Sequence, residues 1–225
     1  MQKIDSAQLC REINQELIDG LAWNPTRPVV AMFGSARLKP ESKPYQDTVK
    51  LAGMFARKGW TVLTGGGPGI MEAGNKGAFE AGGESVGLNI VLPTEQFGNP
   101  YQTISLKFNH FTARKAVFVR RTDVFIAFEG GFGTLDEIFD TVTQIQTGKR
   151  PPTTIMLMSK EFWTPLMDWI KTTLVERKVI SAKDVDLFKV VDTLEEAEHE
   201  ITQAWLAQNH EVPSYTEVNK TDKIT

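Results

Sequence analysis

Short apolar runs alternate with longer amphipathic stretches along most of the chain. The runs PVVAMFG at 28–34 and DVFIAF at 123–128 are apolar at nearly every position, which is typical of strands buried on both faces of a parallel sheet. Between such runs, apolar residues recur at helical spacing. The predicted strands are 28–34, 60–64, 85–90, 103–108, 123–128 and 153–158. The predicted helices are 5–20, 44–58, 70–82, 110–121, 134–148, 160–176 and 193–207.

Strands that alternate with helices predict an α/β fold. Because parallel strands need crossover connections, the expected form is a Rossmann-like, doubly wound parallel sheet flanked by helices in a single domain. We expect residues 1–27 to form an N-terminal helical extension, capped by Asp5 and Ser6 and stopped by Gly20. Residues 28–207 form the predicted catalytic domain, and 208–225 a polar C-terminal tail.

The overall composition narrows the classes of partner. The chain has 225 residues, 41% of them hydrophobic and 24% charged, with a formal net charge of -3. It therefore lacks the broad positive field that favours nucleic acid or an anionic membrane, and small ligands are expected instead. Cys10 is the one cysteine, and no signal peptide or membrane span is recognisable, so we expect a cytoplasmic protein.

Three turns rich in glycine or small residues follow predicted strands, at Gly34-Ser35, 65–69 and 130–134. In a parallel α/β sheet, ligands bind beyond the carboxyl ends of the strands. The segment EGGFGTLDE, residues 129–137, joins a strand to a helix, so its backbone N–H groups would form an anion seat at the positive helix end. The alternative is a tight turn that binds no ligand.

The common nucleotide fingerprints are missing. The pattern G-x-G-x-x-G fails at Ile70 in one cluster and at Asp136 in the other, and Gly-Lys-Ser/Thr does not occur. The three histidines are scattered and indicate neither a metal site nor a Ser-His-Asp triad. A dehydrogenase and an ATPase are therefore disfavoured, and no metal cluster is suggested.

Four charged residues near these turns are candidates for chemistry, and each has a structural alternative. Glu137 could act on a substrate, or it could complete a capping box with Thr134. Arg114 and Lys115 could supply positive charge to the pocket or lie on a solvated helix face. Glu72 could be a second carboxylate or could complement a helix dipole.

Several motifs together resemble the LONELY GUY family of phosphoribohydrolases, whose members release cytokinin bases from riboside monophosphates and are often mislabelled lysine decarboxylases. The motifs are FGSAR, GGGPGIMEAGNKGAFEAGGESVGLNI, FTARK and EGGFGTLDE. The resemblance covers roughly residues 28–205 and favours the longer bacterial branch. One difference is Glu129, which stands where the family has proline.

The resemblance implies a function and a set of site residues. It implies hydrolysis of the N-glycosidic bond of a purine nucleoside 5′-monophosphate, AMP or an N6-modified form, by a homodimer or larger oligomer that needs no metal or cofactor. Arg114 and Glu137 are the implied catalytic pair. The remaining predicted substrate-binding residues are Gly34, Ser35, Gly65, Gly66, Gly67, Glu72, Lys115, Gly130, Gly131, Gly133 and Thr134. A non-catalytic nucleotide or cofactor carrier is the alternative.

Overall fold

A computed structural model describes residues 5–92 and 98–211. The α-helices are α1 (Ser6–Ala22), α2 (Lys43–Arg57), α3 (Ile70–Glu80), α4 (Phe111–Arg121), α5 (Phe132–Gln146), α6 (Lys160–Trp169) and α7 (Leu194–Glu211). The strands are β1 (Val29–Phe33), β2 (Thr61–Thr64), β3 (Ser85–Ile90), β4 (Ile104–Phe108), β5 (Val124–Ala127), β6 (Ile155–Met158) and β7 (Phe188–Val191). None of the helices within these residues is long and apolar enough to cross a membrane.

The seven strands form one parallel sheet in the order β4-β3-β2-β1-β5-β6-β7. The chain builds outward from β1 to one edge, then returns to the other side of β1 with β5. The strand order therefore reverses between β1 and β5, and this is the point at which open α/β sheets bind ligands. The predicted fold class is confirmed.

Alternate residues of β1 supply two separate cores. Ala31 and Phe33 belong to the core that includes residues of α4, α5 and α6, whereas Val30 and Met32 belong to the core that includes residues of α2, α3 and α7. Every residue of β1 and of β5 is buried, as the continuous apolar runs predicted. The sheet is therefore covered on both faces, and its ligand-accessible edge lies at the strand ends.

Four predictions about the elements were wrong. The helix α1 continues past Gly20 to Ala22, because this glycine serves close packing: a Cβ there would lie 2.6 Å from Val117 Cγ2. Asp5 precedes α1 but makes no side-chain capping bond. The expected helix 160–176 becomes a π-helix, Ile170–Val175, after α6. The short edge strand β7 was not predicted.

The ends of the chain were predicted to be a helical extension and a polar tail. Helix α1 packs its apolar residues Ile13, Leu17 and Leu21 against the core beside α4. At the other end, α7 extends to Glu211, four residues beyond the expected end of the helix. The rest of the predicted tail, 212–225, lies outside the described residues.

Candidate active site

The three glycine turns are joined to one another by backbone hydrogen bonds. The Ser35 N–H donates to the carbonyl of Glu129 at 2.8 Å, and the carbonyl of Ser35 accepts from Ile70 N at 3.0 Å. Gly69 has a φ of +66°, and a Cβ on it would lie 2.3 Å from Ser35 O, so this close approach requires glycine. The turns after β1, β2 and β5 therefore form one continuous surface.

This surface encloses a cavity of about 780 Å³ at the carboxyl ends of the strands. Ten of the predicted site residues line it: Gly34, Ser35, Gly65, Gly66, Gly67, Arg114, Gly131, Gly133, Thr134 and Glu137. The cavity wall also includes apolar side chains that were not predicted, among them Met71, Ile90, Leu92, Phe111 and Phe132. The structure thus brings most of the predicted site together in one place.

Three predicted site residues do not belong to the wall as the described residues define it. The Glu72 carboxylate accepts a 2.8 Å hydrogen bond from the Tyr45 hydroxyl. Lys115 Nζ pairs with Asp136 Oδ1 at 2.6 Å. Gly130 packs against Thr134, whose Oγ1 would be 2.2 Å from a Cβ at position 130. Glu72 and Lys115 therefore bind neighbouring side chains, and Gly130 allows close packing against Thr134.

The N-terminus of α5 opens onto the cavity. Gly131 is the N-cap, and Phe132, Gly133 and Thr134 are the first three helical residues. The first N–H groups of a helix have no intrahelical acceptor and carry partial positive charge, so this end can bind an anion. A Cβ added at Gly131 or Gly133 would meet no protein atom within 4 Å. Protein packing therefore does not require glycine there, and a bound ligand would explain it.

The capping-box alternative for Glu137 is wrong. Because α5 begins at Phe132, Thr134 lies inside the helix and cannot be its N-cap, and no side chain makes a capping bond at the N-cap Gly131. The carboxylate of Glu137 is consequently not used to satisfy the helix end. It lines the cavity instead, one turn into the helix.

Burial changes the acid–base behaviour of Glu137. The residue is 8% exposed, and its neighbours on the inner side include the apolar residues Phe33 and Ile138. Desolvation raises the pKa of this carboxyl from 4.5 to about 7, against the attraction of Arg114 and Lys115. A carboxyl group that titrates near neutral pH in a cavity is a candidate for acid–base or electrostatic catalysis.

Arg114 lies in the same wall, on α4, and is also 8% exposed. Its Nε donates to Leu88 O at 2.7 Å, Nη2 reaches Gly65 O at 3.5 Å, and the guanidinium lies over the Phe118 ring. Burial lowers the pKa of the guanidinium, whereas Glu137 raises it. Arginine nonetheless stays protonated in proteins, so the cavity contains a fixed cation as well as a titrating acid.

Comparison with known proteins places this site in a family. A family model described as possible lysine decarboxylase matches residues 71–201, more than half of the chain. The chain belongs to this family, the LONELY GUY (LOG) family.

Curated relatives carry phosphoribohydrolase names. Cytokinin riboside 5′-monophosphate phosphoribohydrolase LOG of rice is 29% identical over 154 residues, which are 67% of this chain and 62% of that protein. The match thus spans less than two thirds of the rice relative. The Mycobacterium marinum protein named cytokinin riboside 5′-monophosphate phosphoribohydrolase is 27% identical over 180 residues, 77% of this chain and 92% of that one.

A solved structure supports the fold independently. The molybdenum cofactor carrier protein of Chlamydomonas reinhardtii superposes with a TM-score of 0.62 at 21% identity, over 80% of this chain and 99% of that one. At this identity the likeness shows a shared fold. A protein named as a cofactor carrier thus shares its fold with this member of the LOG family.

Glu129 stands where the LOG motif has proline, and this difference has little effect on the backbone. The Glu129 carbonyl accepts the Ser35 N–H, a bond that proline could also accept, since its carbonyl is unchanged. Glu129 is not one of the described residues that line the cavity. The extra carboxylate therefore does not occupy the anion seat.

Sequence reasoning missed a cluster of amide side chains beneath the turn at Gly65–Gly67. Asn75 is fully buried within α3 and bonds to Asn99, while Asn89 and Gln102 bond to each other. Asn99 and Gln102 both donate to the Gly66 carbonyl. The available signal was Asn75 itself, because asparagine is a poor helix former and is rarely buried without partners. Asn75 and Asn89 lie within the motif at 65–90, but the motif did not indicate that their side chains bond to Asn99 and Gln102.

Proposed function

We propose that the protein is a hydrolase that cleaves the N-glycosidic bond of purine riboside 5′-monophosphates. The substrates are AMP or N6-modified forms of it, and the products are the free base and ribose 5-phosphate. The observation that carries the proposal is that buried Glu137 and buried Arg114 line the same cavity, onto which the N-terminus of α5 opens. The phosphoribohydrolase names of the relatives support it.

The anion seat suits the 5′-phosphate. Gly131 and Gly133 leave space in front of the first turn of α5, where a monoester could accept several backbone N–H groups at once. Arg114 supplies a cation to the same cavity and would hold the phosphate or ribose in register. Binding energy from the phosphate would then position the sugar for reaction.

Glu137 carries the charge that can stabilise the ribose during the reaction. Breaking the bond between C1′ and the base nitrogen leaves positive charge on the ribose, which an adjacent carboxylate stabilises. Water adds to C1′, its proton passes to the carboxylate or to solvent, and the base leaves with the bonding pair and takes up a proton. The ionised form of Glu137 is the active one in this scheme.

A carrier that binds a nucleotide without reaction is the second candidate, because a carrier protein shares the fold. A buried carboxyl with a pKa of about 7 favours the hydrolase, since a site that only holds an anionic ligand gains nothing from an acid in its wall. A lysine decarboxylase is the weakest candidate: Lys115 is paired with Asp136, and no lysine is among the described residues that line the cavity.

Product analysis separates these candidates. The protein is incubated with AMP, and adenine and ribose 5-phosphate are measured by chromatography. Release of both products in equal amounts supports the hydrolase, whereas AMP that binds but is recovered intact supports the carrier. A panel of nucleoside monophosphates under the same conditions identifies the preferred base. An absorbance scan for bound pyridoxal phosphate tests the decarboxylase.

Assembly belongs to the proposal as well. We expect a homodimer or a larger homo-oligomer in the cytoplasm. The exposed aromatic residues Phe162 and Trp169, about two turns apart on α6, support this expectation, because exposed apolar side chains on one helix suit a subunit interface.

The pH dependence of hydrolysis follows from Glu137. We expect kcat/KM for AMP to rise with pH along a limb centred near 7, because the carboxyl must be ionised and its pKa is raised to about 7. The substrate phosphate also titrates near pH 6, so Asp140→Asn serves as a control. The charge of Asp140 raises the pKa of Glu137, so this variant should move the limb to lower pH. If the limb does not move in Asp140→Asn, it reports titration of the substrate phosphate and not of Glu137.

The glycines of the anion seat give a second test. We expect Gly133→Ala to weaken AMP binding about tenfold or more, because the new methyl group would point into the cavity where the phosphate lies. The same change should raise the free energy of unfolding by up to about 1 kcal/mol, since Gly133 is helical and alanine is the better helix former. Calorimetric titration and denaturant unfolding measure the two effects. Unchanged AMP affinity would contradict the assignment of the seat.

A further inference from the structure

The carbonyl groups of Gly66 and Gly67 are held by protein donors. The Gly66 carbonyl accepts from Asn99 N at 2.8 Å, from Asn99 Nδ2 at 3.0 Å and from Gln102 Nε2 at 3.0 Å. The Gly67 carbonyl accepts from Asn99 Nδ2 at 3.1 Å. Three donors hold this one oxygen, so they fix the orientation of the peptide between Gly66 and Gly67.

That orientation directs an N–H group toward the cavity. Gly66 and Gly67 line the cavity, whereas Asn99 and Gln102 are not among the described residues of its wall. In a planar trans peptide the N–H points opposite to the C=O. Because the Gly66 carbonyl faces Asn99 and Gln102, the N–H of Gly67 faces the other way. The Gly66 N–H is already donated to Thr64 Oγ1 at 3.0 Å, and Pro68 has no N–H.

Asn75 anchors Asn99. Its Oδ1 accepts from Asn99 Nδ2 at 2.8 Å and from Thr64 Oγ1 at 2.6 Å. Its Nδ2 donates to Ser85 Oγ at 2.9 Å and to Val86 O at 3.1 Å. All four hydrogen-bonding positions of this fully buried amide are filled, and such a network fixes its members in one arrangement.

Glycines make room for the other members of the amide cluster. Asn89 and Gln102 exchange hydrogen bonds of 2.8 and 3.2 Å. Gly66 has a φ of +74°, and a Cβ on it would lie 2.1 Å from Asn89 Oδ1. A Cβ at Gly87 would lie 2.2 Å from Gln102 Oε1. The turn and the amide cluster are therefore built to fit each other.

We infer that Asn99, assisted by Gln102, is a positioning residue that aims the Gly67 N–H at an oxygen of the ribose 5-phosphate in the substrate. Asn75 holds Asn99 in place for this purpose. The inference rests on the proposed function for the identity of the ligand, but the orientation of the peptide does not depend on that identity. The cluster thus gives the second glycine turn a role in binding.

The first test reads the peptide directly. In a crystal structure of Asn99→Asp, we expect the peptide between Gly66 and Gly67 to be flipped. The new carboxylate cannot donate to the carbonyls of Gly66 and Gly67 and would face both of them. Its repulsion opposes the bonds that the backbone N–H of residue 99 and Gln102 Nε2 still donate to Gly66, and it would accept the Gly67 N–H after the flip. Asn24→Asp is the matched control, because Asn24 only accepts a bond from Arg121 there and aspartate preserves that role. A peptide that keeps its orientation in Asn99→Asp would overturn the inference.

The second test is kinetic and uses Gln102→Met as well, which removes one donor to Gly66 and adds no charge. We expect KM for AMP to rise about tenfold in Asn99→Asp and several-fold in Gln102→Met, with kcat changed less than about threefold, because the lost contact serves binding. A merely structural role would lower the folded fraction and leave KM unchanged, and that result would also overturn the inference. If the wild-type protein does not hydrolyse AMP, the proposed function fails. The crystal structure of Asn99→Asp then still tests whether Asn99 sets the orientation of the peptide between Gly66 and Gly67.

Discussion

Glu137→Gln is expected to lower kcat for AMP hydrolysis about 10²-fold or more. The amide keeps the size and shape of the side chain but cannot carry the negative charge that stabilises the cationic ribose, and loss of one preorganised electrostatic group has an effect of this order. AMP affinity should change little or improve, because the anion seat on α5 is untouched. Initial rates under saturating AMP and calorimetric titration measure the two quantities.

The same substitution is expected to stabilise the fold. Burial raises the pKa of Glu137 from 4.5 to about 7, so between these values the folded state retains a proton that the unfolded state has lost. Wild-type stability therefore falls as pH rises through this window, by about 3 kcal/mol in all. The glutamine variant has no such penalty. Its advantage should be largest above pH 7 and should vanish below about pH 4.5.

Glu161→Gln is the matched control for both effects. It makes the same chemical change at an exposed position in the first turn of α6. We expect its turnover to be normal and its stability to change by only a few tenths of a kcal/mol. Normal turnover in Glu137→Gln would remove the catalytic assignment, and a loss of stability at pH 8 would contradict the cost of burying the charge.

Arg114→Met is expected to have the second largest effect, a fall in kcat/KM for AMP of about 10²-fold. The substitution removes the cation and its forked donors but keeps a long unbranched side chain against Phe118. If the guanidinium holds the phosphate, the substitution should weaken binding of AMP much more than binding of adenosine, which has no phosphate. Equal losses for AMP and adenosine would place Arg114 on the ribose instead.

Removal of Arg114 should also change the pH profile. The guanidinium lowers the pKa of Glu137, so without it the pKa should move above about 7 and the limb of kcat/KM should shift to higher pH. Arg120→Met is the control, because Arg120 lies exposed in the last turn of the same helix. A limb that stays in place in Arg114→Met would show that the two groups are not coupled.

The sequence was sufficient to predict most of the fold. Fully apolar runs indicated β1 and β5 because both strands are buried on both faces, and their pattern has no other simple explanation. It failed at β7, whose four residues form an edge strand with three half-buried positions, so no clear periodicity exists. It also failed at Gly20, where the glycine permits close packing with α4 and does not end α1.

The site was predictable where glycines cluster at strand ends and unpredictable where it depends on contacts between side chains. The turns at Gly34, Gly65–Gly67 and Gly131 were identified because few other roles explain glycine at strand ends. The start of α5 at Phe132 was missed, and with it the fact that Thr134 is not a cap. The interlocked Asn75, Asn99 and Gln102 come from three different segments, and their contacts exist only in the folded chain.

The most direct measurement is a crystal structure of the Glu137→Gln variant grown with AMP. We expect the phosphate to accept N–H groups from the first turn of α5 and the carboxamide at position 137 to lie beside C1′ of the ribose. AMP bound elsewhere, or a carboxamide turned away from the sugar, would contradict this expectation.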